Sequence, residues 1–98
     1  MHRSGRLRQA ADQLEVVIAG QREALGEHHP HTLASINNLA TLEDELGNDG
    51  RAQELYLMVL DRRRATLGDD HPDTLISRNN LGVYYLERNQ LSEASPLL

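Results

Sequence analysis

An internal repeat of 42 residues constrains this chain more than any other feature of its sequence. Residues 67–81 repeat residues 25–39 in register, with Leu-Gly, His-Pro, Thr-Leu, a serine and Asn-Asn-Leu at matching places. The repeat extends beyond these stretches, because Ala10, Ala52 and Ala94 are also spaced by 42 residues. Repetition at a period of this size indicates stacked supersecondary units rather than one globular core.

Apolar residues recur at helical spacing through four segments, and no segment shows the alternation of a strand. Proline at positions 30 and 72 presets the backbone for a first helical turn, and glycine-containing junctions end the preceding helices. The short links favour antiparallel neighbours. The predicted helices cover residues 6–25, 30–46, 51–67 and 72–88, and a fifth helix begins near Leu91 and is cut short.

The apolar positions also predict a core. Its members are Leu7, Ala10, Ala11, Leu14, Val17, Ile18 and Leu25, then Leu33, Ile36, Leu39, Ala40, Leu42 and Leu46, then Ala52, Leu55, Tyr56, Val59, Leu60 and Leu67, then Leu75, Leu81, Gly82, Tyr84, Tyr85 and Leu86. The first copy has Glu43 where the second has Tyr85, and the second copy has Arg78 where the first has Ile36. One apolar contact should therefore be missing from each copy. The terminal leucines at 97 and 98 are expected to cap nothing.

Composition narrows the possible functions. The chain has 15 acidic against 10 basic residues, a net charge of -5, and only three aromatic residues, all tyrosine. Nucleic acid is therefore disfavoured as a ligand, because phosphate neutralisation needs a basic surface and base stacking needs aromatic rings. There is no cysteine and no apolar run long enough for a membrane span. We expect a soluble, cytoplasmic protein without membrane contact.

The repeated motifs resemble those of a known family. The first copy carries Asn38-Leu39-Ala40 followed by Ala52 and Tyr56, and the second carries Asn80-Leu81-Gly82-x-x-Tyr85 followed by Ala94 and Leu98. These residues resemble the signature of the tetratricopeptide repeat. The 42-residue period, the Leu-Gly-x-x-His-Pro-x-Thr opening and the Asn-Asn-Leu segment are similar to the kinesin light chain subclass of that family.

The resemblance implies an all-α fold, an antiparallel helix-hairpin solenoid of tetratricopeptide type with about 2.5 repeats in a superhelix. Residues 1–98 would form a single repeat array. Its parts would be the second helix (helix B) of a first repeat over about 6–25, a complete second repeat over 30–67, and a third repeat over 72–98 whose last helix is truncated.

In such arrays the first helix of each repeat (helix A) lines a concave groove. One stripe of the first A helix holds Ala34, Asn38, Thr41 and Glu45, and the equivalent stripe of the next holds Ile76, Asn80, Val83 and Glu87, with Asn37 and Asn79 beside them. Carboxamides donate and accept hydrogen bonds, so a ladder of them can hold a peptide backbone. By resemblance, Asn38 and Asn80 match the groove asparagines that hold peptides. Alternatively, some of these asparagines bridge neighbouring helices.

Metal binding and catalysis receive little support. His28, His29 and His31 lie close together, but His29 belongs to the repeated His-Pro junction and Pro30 breaks the spacing that aims two ligands at one ion. No phosphate-binding glycine loop is present, and the acidic residues at 43–45 point around a helix. We therefore expect no enzyme activity, no cofactor and no metal site.

The sequence thus predicts a protein–protein interaction module or scaffold that binds a peptide or a helix in the groove of the A helices. The alternative is a structural spacer or self-association segment of a larger repeat protein, in which exposed repeat ends form a homo-oligomer. Peptide capture in a polar groove should weaken with salt. Burial of apolar ends should not.

Overall fold

The computed structural model describes residues 3–98, with side chains from Gly5 onward, and every regular element in that range is helical. The α-helices are α1 (Arg3–Leu25), α2 (Pro30–Glu45), α3 (Asp49–Leu67), α4 (Pro72–Glu87) and α5 (Leu91–Ala94), and a terminal 3-10 turn spans Ser95–Leu97. The prediction of an all-α chain is confirmed. Within the described range, no helix is long and apolar enough to cross a bilayer.

The two A helices begin in the same way. His29 and His71 both have extended backbones, and each side chain accepts a hydrogen bond from the backbone N–H two residues later. Proline follows each histidine as the first helical residue. This arrangement satisfies one of the N–H groups that a helix start leaves without a partner, so the junction defines the first residue of each A helix.

The helix ends depend on the left-handed backbone conformation. Gly26 and Gly68 follow α1 and α3 with φ of +96° and +88°. Gly47 follows α2 with φ of +85°, and Asn89, at the equivalent place after α4, has φ of +59°. Glycine adopts this conformation without steric cost and asparagine tolerates it, which explains the exchange between copies. The turn after α2 is shorter than predicted, because α3 begins at Asp49.

The chain forms two compact units, Met1–Leu55 and Tyr56–Leu98, and the division lies inside α3. In the first unit, α1 and α2 form an antiparallel hairpin: Arg8 near the start of α1 reaches Glu43 near the end of α2. The side chains buried in this unit are Ala11, Ile18, Thr32, Leu33, Ile36, Leu39, Ala40, Glu43, Ala52 and Leu55.

The second unit repeats the hairpin with α3 and α4. The rings of Tyr56 and Tyr84 lie 5.7 Å apart, and the Nη1 of Arg63 donates to the Oγ of Ser77 at 2.7 Å, so the helices run antiparallel. The buried side chains here are Tyr56, Val59, Leu60, Thr74, Ser77, Leu81, Tyr84, Tyr85 and Ala94.

The carboxyl-terminal leucines lie against Gly82 of α4, whereas the sequence predicted that they cap nothing. A Cβ atom placed on Gly82 would lie 2.6 Å from the Cδ2 of Leu98 and 3.4 Å from the Cβ of Leu97. Glycine at position 82 therefore lets the end of the chain lie against α4. Leu98 still has 58% of its surface exposed.

Five predicted core residues are exposed instead. Leu25 and Leu67 are the last residues of their helices, beyond the packed part of each hairpin. The other three are Val17, Leu75 and Leu86, with 48%, 46% and 44% of their surface exposed. Periodicity placed them on apolar helix faces, but no part of the described chain covers those sides.

Glu43 fills the place of the missing tyrosine as a buried charge. Its side chain is 8% exposed, and its Oε1 accepts from the Nη2 of Arg8 at 3.0 Å and from the Nδ2 of Asn48 at 3.5 Å. A buried carboxylate needs such partners, because burial without them costs several kcal/mol, on the order of 3–5. The sequence predicted only a lost apolar contact at this position.

We predict that Arg8→Ala will destabilise the protein by about 1–3 kcal/mol, because Glu43 would stay buried with its main partner removed. Arg51→Ala is the matched control. Arg51 contacts Glu15 at 3.6 Å, but both side chains are about half exposed, so its loss should cost less than about 1 kcal/mol. Urea unfolding measures both variants, and equal losses would contradict the special role of Glu43.

We predict that Gly20→Ala will stabilise the protein by about 0.5–1 kcal/mol, because alanine has the higher helix propensity. A Cβ atom at Gly20, inside α1, would meet nothing within 4 Å. Gly82→Ala gains the same propensity but must displace Leu98, so its net gain should be smaller or negative. Thermal unfolding compares them, and destabilisation by Gly20→Ala would contradict the open surroundings of that residue.

Candidate functional site

The A-helix stripe of α2 is a polar surface. Ala34, Asn38, Thr41 and Glu45 are all exposed, as their spacing of four, three and four residues requires for one side of a helix. The hydroxyl of Thr41 donates to the backbone oxygen of Asn37 at 3.3 Å. The stripe offers carboxamide, hydroxyl and carboxylate groups, which can donate to and accept from a peptide backbone.

The equivalent stripe of α4 is more apolar. Ile76 and Val83 have 53% and 41% of their surface exposed, and Glu87 is exposed at the carboxyl-terminal end. Asn80 lies between the two aliphatic residues and is half-buried. Each unit therefore carries one stripe of predicted site residues, and the two stripes differ in chemistry although they share a register.

The two adjacent asparagines of each A helix differ in exposure, and the order of the buried and the exposed one is reversed between the two copies. In α2, Asn37 is half-buried and Asn38 is exposed, whereas in α4 Asn79 is exposed and Asn80 is half-buried. Asn37 and Asn80 both have interactions within the chain. A structural role for these two asparagines, one of the two alternatives from the sequence, is thus compatible with a binding role for the exposed pair.

Two histidines at the first junction, His29 and His31, contact each other and help to form the start of α2. The Nδ1 of His29 accepts from the backbone N–H of His31 at 3.0 Å, and the two rings lie 4.9 Å apart, edge to face. The Nδ1 of His71 accepts from the backbone N–H of Asp73 in the same way, at 3.0 Å. Among the described residues, no three histidine or acidic side chains come together in a way that could hold an ion.

We predict that replacing both capping histidines, His29→Ala and His71→Ala, will cost about 0.5–2 kcal/mol per site, the usual cost of a lost cap. The matched variant His29→Asn with His71→Asn should retain the stability, because asparagine also supplies an acceptor at this position. Urea unfolding distinguishes the two pairs. Equal stability of the alanine and asparagine proteins would contradict the capping role.

Three consecutive arginines on α3, Arg62, Arg63 and Arg64, form a short basic run and make local contacts. Arg63 binds Ser77 and the backbone oxygen of Asp73, the latter at 3.2 Å, and the Nε of Arg64 lies 3.3 Å from the Oδ1 of Asp69. Arg62 also has an interaction within the chain. Arg63 and Arg64 therefore already have polar partners within the chain.

A small hollow in the first unit is a feature that the sequence did not reveal. Ile18, Ile36, Leu39 and Leu55 form its apolar lining, and Glu15, Arg22 and Arg51 carry the charges around it. Its volume is about 50 Å³. The hollow forms where α1, α2 and α3 meet. Sequence periodicity predicts the apolar side of each helix but not which helices contact one another.

Solved structures show the same arrangement of helices. This chain matches two crystal structures of a putative kinesin light chain with nearly identical TPR-like repeats from Podosopora anserina, one of them of a single-residue variant. Each match has 34% identity and a TM-score of 0.84, and covers 95% of this chain and 44% of the other. The chain therefore spans less than half the length of those structures. No functionally curated protein matches it.

Fold and repeat together define a helix-hairpin repeat protein. The profile of the tetratricopeptide repeat matches residues 2–31, 32–73 and 74–98, which is nearly the whole chain. The chain belongs to the tetratricopeptide-repeat family, and its repeats are of the kinesin light chain-like type. The resemblance inferred from the sequence is confirmed.

Proposed function

We propose that this chain is a protein–protein interaction module that binds an extended peptide along the A-helix stripes of α2 and α4. Tetratricopeptide repeats generally serve as scaffolds for protein interactions, and the family membership supports this general role. The predicted stripe residues are the basis for the specific surface. They lie on the helices that this family commonly uses for recognition, and most of their side chains are exposed.

The observation that carries the proposal is the mixed chemistry of the α4 stripe. Ile76 and Val83 are about half exposed, and polar residues stand beside and between them. Exposed aliphatic side chains next to carboxamides are typical of surfaces that take both the side chains and the backbone of a ligand. The α2 stripe supplies the polar part of the same chemistry through Asn38 and Thr41.

Charge restricts the ligand further. Both stripes end in a glutamate, Glu45 or Glu87, and neither stripe contains lysine or arginine. A peptide with basic residues would complement these ends, and an acidic peptide would be repelled. We therefore expect the bound peptides to combine aliphatic residues with lysine or arginine, and their affinity to fall as salt is raised.

We predict that Asn38→Ala with Asn79→Ala, the two exposed asparagines, will weaken peptide binding roughly 5- to 100-fold, since each lost hydrogen bond contributes about 0.5–1.5 kcal/mol. The probe is the strongest binder from an array of short peptides, measured by fluorescence anisotropy. Gln9→Ala with Gln13→Ala, two exposed carboxamides on α1, is the matched control. Unchanged affinity in the asparagine variant would overturn the assignment of the stripe, and selection of acidic peptides would overturn the charge preference.

A further inference from the structure

The start of α3 contains the one acidic residue of this chain that is followed by glycine. Asp49 precedes Gly50, whereas none of the other six aspartates and none of the six asparagines stands before a glycine. The pair is chemically reactive, because the backbone nitrogen that follows an aspartate can attack the carbon of its side-chain carboxyl group. A side chain on the following residue hinders this attack, and glycine, which has no Cβ atom, hinders it least.

The fold does not require a glycine at position 50. Its backbone is helical, and a Cβ atom placed there would meet nothing within 4 Å. The second copy of the repeat has Leu91-Ser92 at the equivalent place, which is also the start of a helix. The aspartate–glycine pair therefore belongs to one copy only, and the packing of the repeat does not explain it.

Both residues of the pair are exposed at the end of a helix. Asp49 and Gly50 are the first two residues of α3, and the first N–H groups of a helix have no acceptor within it. The first turn is closed by a hydrogen bond of 2.9 Å from the backbone N–H of Ala52 to the backbone oxygen of Asn48. Helix ends open at little cost in free energy. Opening of this turn gives the Gly50 nitrogen the freedom to approach the side chain of Asp49.

We propose that Asp49 is a site of spontaneous isomerisation to isoaspartate. The Gly50 nitrogen forms a bond to the Cγ atom of Asp49, and the amide proton leaves with the carboxyl oxygen as water, which gives a five-membered succinimide ring. Water then adds to one of the two ring carbonyls and breaks its bond to nitrogen. Cleavage at Cγ restores aspartate, and cleavage at the main-chain carbonyl gives isoaspartate. The mass of the chain is unchanged, and no oxidant or cofactor takes part.

Isoaspartate at position 49 changes the start of α3, because it inserts one carbon atom into the main chain. The hydrogen bond from Ala52 to Asn48 spans this residue and loses its geometry. Asn48 also contacts Glu43, with its backbone N–H 2.8 Å from the backbone oxygen and its Nδ2 3.5 Å from the Oε1. The modification therefore disturbs a residue that helps to hold the buried carboxylate, and it destabilises the first unit. This inference goes beyond the proposed peptide binding and does not depend on it.

The test ages the complete 98-residue chain for several weeks at body temperature and neutral pH. An isoaspartyl methyltransferase transfers a labelled methyl group from S-adenosylmethionine to each isoaspartate, and mass spectrometry of fragments locates the residue. Label should accumulate at Asp49 and be at least about tenfold lower in Gly50→Ser, which has the serine of the second copy; tenfold corresponds to a barrier higher by roughly 1.4 kcal/mol. Gly20→Ser, a matched change at an exposed glycine that follows alanine, should accumulate label like the wild type.

Circular dichroism checks that the variants fold, and an aged peptide of residues 44–55 is the positive control for the label. The aged wild type should unfold at a lower urea concentration than the fresh protein, and Gly50→Ser should keep its midpoint. Absence of label in the aged wild type would overturn the proposal, as would equal label in Gly50→Ser or label located at another aspartate. Fresh Gly50→Ser should bind peptide like the wild type, so that failure of isomerisation and failure of peptide binding are separate results.

Discussion

The junction between one hairpin helix and the next is the constraint on which this structure depends. A histidine side chain accepts a hydrogen bond from the backbone N–H of the residue two positions later in the sequence. The proline between these two residues is the first residue of the helix. Just before it, Gly26 or Gly68 turns the chain through a left-handed conformation. Because both copies use the same junction, α2 and α4 begin at the same point of the repeat. Every later position, including the stripe residues, takes its place from that start.

The two copies use one backbone for different surface chemistry. The α2 stripe is polar and ends in Glu45, whereas the α4 stripe carries exposed Ile76 and Val83. Such differences cost little in stability, because the buried faces are set by the repeat and the exposed ones are not. Repeat proteins acquire specificity in this way, through substitutions on the exposed side of a fixed helix. The residues that could recognise a ligand are thus separate from those that form the core.

Much of this structure could be predicted from the sequence, because its strongest signals are local. The prolines at 30 and 72 mark the helix starts, and the repeat identifies the family. The predictions that failed depend on distant residues. Burial of Glu43 requires Arg8, 35 positions away, and contact of Leu98 with Gly82 requires the final turn to fold back. Periodicity likewise identifies an apolar side of a helix, as at Leu75, but does not say whether a neighbour covers it.

The ion pair between Arg8 and Glu43 has a consequence for motion. Helix ends normally fray one turn at a time, with little effect on the rest of a fold. Arg8 lies near the start of α1, and fraying past it would leave a carboxylate of α2 without its cation in a site that water hardly reaches. Opening the start of α1 therefore also removes a stabilising partner from the end of α2, a segment far from it in the sequence.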